Sequence, residues 1–177
     1  MRICVYCASS EAIDPAYKAL AREVGLELAK RGHSLVSGGG CVSAMGELAR
    51  AAREGGAYTV GVIPEALMTI ELADADADEL IVTTGMRERK AEMDQRSDAF
   101  IVLPGGIGTL EELMEIWTAR TLGIHSRPIV VVDPDDGWKS FRDLVEDYIA
   151  RGFARPSVRE HLTWVVTAHQ ALDAVEG

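Results

Sequence analysis

Short apolar runs alternate along this chain with longer stretches in which apolar positions recur every three or four residues. The first pattern fits strands buried on both faces and the second fits amphipathic helices. Strands are predicted at Ile3 to Cys7, Ser34 to Ser37, Tyr58 to Ile63, Glu79 to Thr83, Ala99 to Leu103, Ile129 to Val132 and Trp164 to Val166. Helices are predicted at Pro15 to Arg31, Ser43 to Glu54, Arg87 to Ser97, Leu110 to Leu122, Trp138 to Arg151 and Ala168 to Val175, with Gly32 and Gly55 as C-terminal stops. No linker, repeat or low-complexity stretch interrupts the alternation, so residues 1–177 are expected to form one α/β domain. Its architecture should be a Rossmann-like, doubly wound parallel sheet with helices on both faces.

Ligands of such a sheet sit at the carboxyl ends of its strands. Four strand ends carry informative segments: Cys7-Ala8-Ser9-Ser10, Gly38-Gly39-Gly40, Met86-Arg87-Glu88-Arg89-Lys90, and the turn Pro104-Gly105-Gly106-Ile107-Gly108-Thr109. Neither glycine segment has the third glycine of a dinucleotide fingerprint, and no glycine precedes the Lys-Ser/Thr of a Walker A loop. A mononucleotide or sugar phosphate fits better than NAD or ATP.

Composition narrows the field. Lys plus Arg is 18 against 28 for Asp plus Glu, a net charge of -10 over 177 residues, which disfavours nucleic acid polymers and anionic membranes. No apolar run approaches the ~18 to 20 residues of a membrane span, and the N-terminus does not read as a signal peptide, so a cytoplasmic protein is expected. Three cysteines suggest reduced thiols; Cys4 and Cys7 form a C-x-x-C inside a strand and read as buried and structural. Asp74, Asp76 and Asp78 begin like a calcium loop but lack its glycine and twelfth-position acid, leaving a solvated loop. The four histidines show no ligand spacing, and no metal is implied.

The turn at 104–109 carries the chemistry. Its glycines admit a close backbone approach, and the first helical N–H groups present the positive end of the helix dipole to an anion. Glu111 and Glu112 follow at once and would repel a phosphate unless one has another task. A carboxylate beside a sugar can stabilise an oxocarbenium-like state or activate water, which makes Glu112 the candidate. The competing reading is a capping box, Thr109-x-x-Glu112. Glu111 lies about 100° around the helix and is secondary. Arg89 suits phosphate or ribose oxygens and can pin Glu112 in its ionised form, although Glu88, Lys90 and Glu92 around it also describe an ordinary charged helix face. Lys90 can reach the phosphate or remain in solvent.

Gly38-Gly39-Gly40 with Met45-Gly46, Met86-x-x-Arg89-Lys90, Pro104-Gly105-Gly106-x-Gly108-Thr109-x-x-Glu112 and Leu122-Gly123-Ile124-His125 together resemble the LONELY GUY (LOG) family. That family comprises cytokinin riboside 5′-monophosphate phosphoribohydrolases, often mislabelled lysine decarboxylases. The resemblance implies cleavage of the N-glycosidic bond of a nucleoside 5′-monophosphate, AMP or an N6-prenylated form, to free base and ribose 5-phosphate by a homodimer without cofactor. It implies Arg89 and Glu112 as catalytic residues. It implies Ser9, Gly39, Gly40, Met86, Lys90, Gly105, Gly106, Gly108 and Thr109 as substrate-binding, with Met86 against the base. Gly85, Arg87, Ile107 and Ala8 depart from the usual pattern around the reaction centre. The alternative is a mononucleotide carrier without turnover. Lysine decarboxylation would need a pyridoxal phosphate lysine, and of Lys18, Lys30, Lys90 and Lys139 only Lys90 lies near the expected site.

Overall fold

Every strand pairs in parallel with its neighbours. In the computed structural model, which describes residues 1–177, β1 (Arg2–Tyr6), β2 (Ser34–Ser37), β3 (Thr59–Pro64), β4 (Glu79–Thr83), β5 (Ala99–Val102), β6 (Ile129–Val132) and β7 (Thr163–Val165) form one sheet. The order is β4-β3-β2-β1-β5-β6-β7. The chain therefore builds outward from β1 to β4, returns to lay β5 against β1, and builds outward again. The return makes the β1/β5 boundary the switch point where an open α/β sheet forms its ligand crevice.

Alternation within strands divides the core into two layers. Ile3 and Val5 of β1 pack with Leu20, Val24 and Leu28 of α1 (Pro15–Lys30), with Leu48 of α2 (Ser43–Glu54) and with Leu172 of α6 (Ala168–Glu176). Cys4 and Tyr6 face the other way, toward Met93 of α3 (Met86–Gln95) and Leu113, Ile116 and Trp117 of α4 (Ile107–Thr121), with Phe141 of α5 (Lys139–Ala150) partly buried beside them. Three helices on each face give the doubly wound arrangement expected from the sequence. Cys4 and Cys7 lie in opposite layers, so they cannot pair, and burial pushes the Cys4 thiol up to about 12.

Local signals placed the elements. The Asp14 carboxylate accepts the Ala16 N–H at 2.8 Å with Pro15 in the first helical turn, and the Thr167 hydroxyl accepts the Gln170 N–H at 3.2 Å to start α6. Most strands fall within a residue of their expected limits. Two short 3-10 segments, Glu65–Leu67 and Pro156–His161, were not legible in the apolar pattern. The acidic run is not simply a solvated loop either. Asp74 is buried against Arg53, and Asp78 accepts both the N–H and the hydroxyl of Thr59, leaving Asp76 exposed. No helix is long and apolar enough to cross a membrane.

Candidate active site

A cavity of about 700 Å³ opens over the carboxyl ends of β1 and β5 and extends toward β2 on one side and the start of α5 on the other. Ser9, Met86, Arg89, Gly105, Gly106, Gly108, Thr109 and Glu112 all line it, as do Glu111 and Ile107. Segments more than a hundred residues apart in the chain are thus brought to one crevice by the strand order.

The floor of the crevice is the start of α4. The helix begins at Ile107 with Gly106 as its N-cap, three residues before the expected Leu110, so Thr109 and Glu112 already lie within it. This removes the capping-box reading: neither residue occupies the cap, and the Thr109 hydroxyl instead donates to the Cys7 carbonyl at 3.2 Å. That bond ties the first turn of α4 to the end of β1. Gly105 is needed because a Cβ there would meet Thr109 Oγ1 at 2.1 Å, whereas a Cβ at Gly106 or Gly108 would meet nothing within 4 Å. The N–H groups of Ile107, Gly108 and Thr109, all of which line the cavity, have no intrahelical partner and so could accept an anion there.

Arg89 is 4 % exposed, unusual for a guanidinium on a helix as polar as α3. Its Nε donates to the Val62 carbonyl at 3.1 Å and its Nη2 to the Gly38 carbonyl at 2.8 Å, and Nη2 lies 3.2 Å from Glu71 Oε2. A Cβ on Gly38 would stand 2.1 Å from Nη2, so that glycine is what lets the arginine lie flat under the loop. Nη1 has only the Met86 sulfur at 3.8 Å and remains able to donate into the cavity. The charged neighbours that suggested a surface ion pair have other partners. Glu88 accepts from the N–H and hydroxyl of Thr84 at the start of α3, and Glu92 pairs with Arg96.

Three expectations need correction. Arg89 does not pin Glu112 in its ionised form: its carboxylate partner is Glu71, and burial pushes the Glu112 carboxyl from 4.5 up to about 7, opposed by the Arg89 charge and assisted by Glu111 and Glu71. Lys90 turns toward α4, where it pairs with Glu111 and, at 2.8 Å, with Glu115, so it does not line the cavity. Gly39 and Gly40 do not line it either; Gly38 does. Gly39 (φ 73°) and Gly40 shape a loop on which residues 71–74 rest. Conversely, Glu71 and Leu67 line the cavity, and nothing in the spacing of the acidic stretch singled out Glu71.

Arg89 is the one Lys or Arg side chain lining the cavity. A phosphate there would be met by backbone N–H groups and serine hydroxyls rather than by a lysine, and a Schiff base would find no amine. Pyridoxal phosphate chemistry therefore does not fit these residues.

Residues 45–175 match a family model described as "Possible lysine decarboxylase". The chain is 51 % identical over 172 residues to a cytokinin riboside 5′-monophosphate phosphoribohydrolase of Mycobacterium tuberculosis, covering 97 % of this chain and 91 % of that one. A protein of the same name from Arabidopsis thaliana is 39 % identical, with 99 % and 81 % covered. Among solved structures, the molybdenum cofactor carrier protein of Chlamydomonas reinhardtii superposes with a TM-score of 0.72 at 19 % identity, with 99 % and 95 % covered, a likeness of fold alone.

Proposed function

This chain belongs to the LOG family of phosphoribohydrolases, and from that premise we propose that it hydrolyses the N-glycosidic bond of AMP or a cytokinin riboside 5′-monophosphate. The observation that carries the reading is that Arg89 and Glu112 face one crevice whose floor is a free helix N-terminus. The phosphate lies on the N–H groups of residues 107–109 beside Ser9, the ribose between Nη1 of Arg89 and Glu112, and the base toward Met86, Leu67 and Glu71.

Bond cleavage leaves C1′ electron-poor as the electron pair moves to the base nitrogen. The Glu112 carboxylate stabilises that charge and takes a proton from the attacking water, whose oxygen bonds to C1′; the departing base takes up a proton. A carboxyl held near 7 suits this task, because it is basic enough to accept a proton and is still substantially ionised at neutral pH. Arg89, fixed by two backbone carbonyls, orients the ribose without reorganising.

A homodimer completes the proposal. α5 carries Phe141, Leu144, Val145 and Tyr148, yet buries no residue fully, and together with Met114 of α4 and Leu122 just beyond its end it edges an apolar groove of about 320 Å³. A second copy supplies the missing cover. Leu144→Arg should shift the protein to monomer in analytical ultracentrifugation.

The activity is tested by incubating the protein with a panel of nucleoside monophosphates and following free base and ribose 5-phosphate by chromatography. Release of base without added metal or pyridoxal phosphate, with unphosphorylated nucleosides reacting poorly, is the expected result. Background release from every monophosphate with binding intact would replace the enzyme by a carrier.

A further inference from the structure

Between β3 and β4 the chain crosses the site without a regular helix of any length. After the 3-10 turn Glu65–Leu67, residues 68–78 form a strap that delivers Glu71 to the cavity. Apolar burial does not hold it in place, since Ile70 is 72 % exposed and Leu72 55 %. Polar contacts do. The Cys41 N–H donates to the Leu72 carbonyl at 2.8 Å, and the Asp74 N–H donates to the Gly39 carbonyl at 2.8 Å. The Asp74 carboxylate, on a residue 4 % exposed, takes a two-pronged contact from Arg53 at the end of α2, at 2.7 and 3.1 Å. Leu72, between these points, is held at φ 49°, a left-handed conformation that a branched side chain keeps only when its surroundings fix it.

We propose that the Arg53–Asp74 ion pair is a positioning device for the base end of the site, setting the strap against the glycine loop and so fixing where Glu71 stands relative to Arg89. The inference rests on the phosphoribohydrolase reading, which places the base at this end. A shielded, planar, two-pronged pair specifies geometry more than it adds stability. The bonds of Arg89 to Val62 and Gly38 do not involve the strap, and the free N–H groups of residues 107–109 belong to another part of the chain. Loosening the clamp therefore separates recognition of the base from recognition of the phosphoribose.

The experiment compares Arg53→Met, Asp74→Asn and Arg53→Lys. It measures kcat and KM on AMP, melting temperature, and calorimetric affinity for both AMP and ribose 5-phosphate. Arg53→Met and Asp74→Asn should raise KM and weaken AMP binding about tenfold, with kcat within about twofold and ribose 5-phosphate affinity unchanged. Arg53→Lys, which keeps the charge but not the fork, should recover part of the loss. Unchanged AMP affinity in both variants would overturn the proposal. So would a parallel loss of both ligands with a lowered melting temperature, which marks a merely structural pair. A wild-type protein with no turnover on any monophosphate would sink the activity instead, and the ratio of the two calorimetric affinities would still report on the clamp.

Discussion

Two glycine-rich loops follow β2 and β5, the strands on either side of β1, and they do opposite things. At Gly106-Ile107-Gly108 the missing side chains leave space: Cβ atoms on Gly106 and Gly108 would reach only the open cavity, whereas Gly105 is packed against Thr109. At Gly38-Gly39-Gly40 the missing side chains are already replaced by protein, with Arg89 under Gly38, β3 against Gly39, and both Met45 and the strap's Glu71 against Gly40. In the proposed reading the first loop receives a phosphate, while the second is a joint between parts of the chain. Glycine content alone cannot distinguish them, because close approach of a ligand and close approach of an arginine ask the same of the backbone.

The sharpest test of the receptor side is Glu112→Gln. The structure removes the cap as an explanation for this residue, so the amide keeps the shape while losing the charge that the oxocarbenium-like state requires. Turnover should fall by ~100-fold or more, with AMP binding retained. Single-turnover kinetics beside calorimetry measure both. An active Glu112→Gln protein would reduce the α4 carboxylate to a bystander.

The next test sets the two loops against each other. Gly106→Val and Gly108→Val should fold normally and lose monophosphate affinity by at least about tenfold, because the new methyls fill the anion cradle. Gly38→Val should lose function too, but with a melting temperature several degrees lower, since its side chain must displace a buried guanidinium. Equal melting temperatures for all three would erase the distinction between receptor and joint.

Much of this was legible in the sequence. Short apolar runs alternating with stretches of period 3.6 locate thirteen strands and helices, and that alternation imposes a parallel sheet whose strand ends converge. Local spacing failed where tertiary contacts decide. The sequence pattern starts α4 late because Gly106 and Gly108 read as loop, although the helix runs through the second of them. The sequence allows Lys90 either the phosphate or solvent, but adjacent helical residues point about 100° apart, and its ammonium reaches Glu111 and Glu115 instead. Glu71 sits in an acidic stretch with no periodic signal, and only the folding of the strap over Gly39 brings it to Arg89.

A smaller effect concerns pH. The kcat/KM of the free enzyme should rise with pH along a single acid limb centred at about 7, as burial-raised Glu112 loses its proton and becomes the base. A limb near the ordinary carboxylate value of 4.5 would mean that the crevice is wetter than its walls suggest. A rate that falls through the same range would assign Glu112 the acid role.

The smallest expected change is in stability, and its sign follows from the same burial. Because the folded protein holds the Glu112 proton up to about 7 while the unfolded chain releases it near 4.5, the native state binds more protons between those values. Stability from this group is therefore fully present below about 4.5 and is lost as pH rises through about 7. Glu112→Gln removes the cost of ionising a desolvated carboxyl, so its melting temperature should match that of the wild type near about pH 5 and exceed it by a few degrees near about pH 8. Gly38→Val, which does not alter a titrating group, should show the same deficit at both. Differential scanning calorimetry at the two pH values separates the cases. A Glu112→Gln protein no more stable than wild type in alkaline buffer would mean that Glu112 pays nothing for its place on the cavity wall, and the desolvated base on which the receptor side depends would be lost with it.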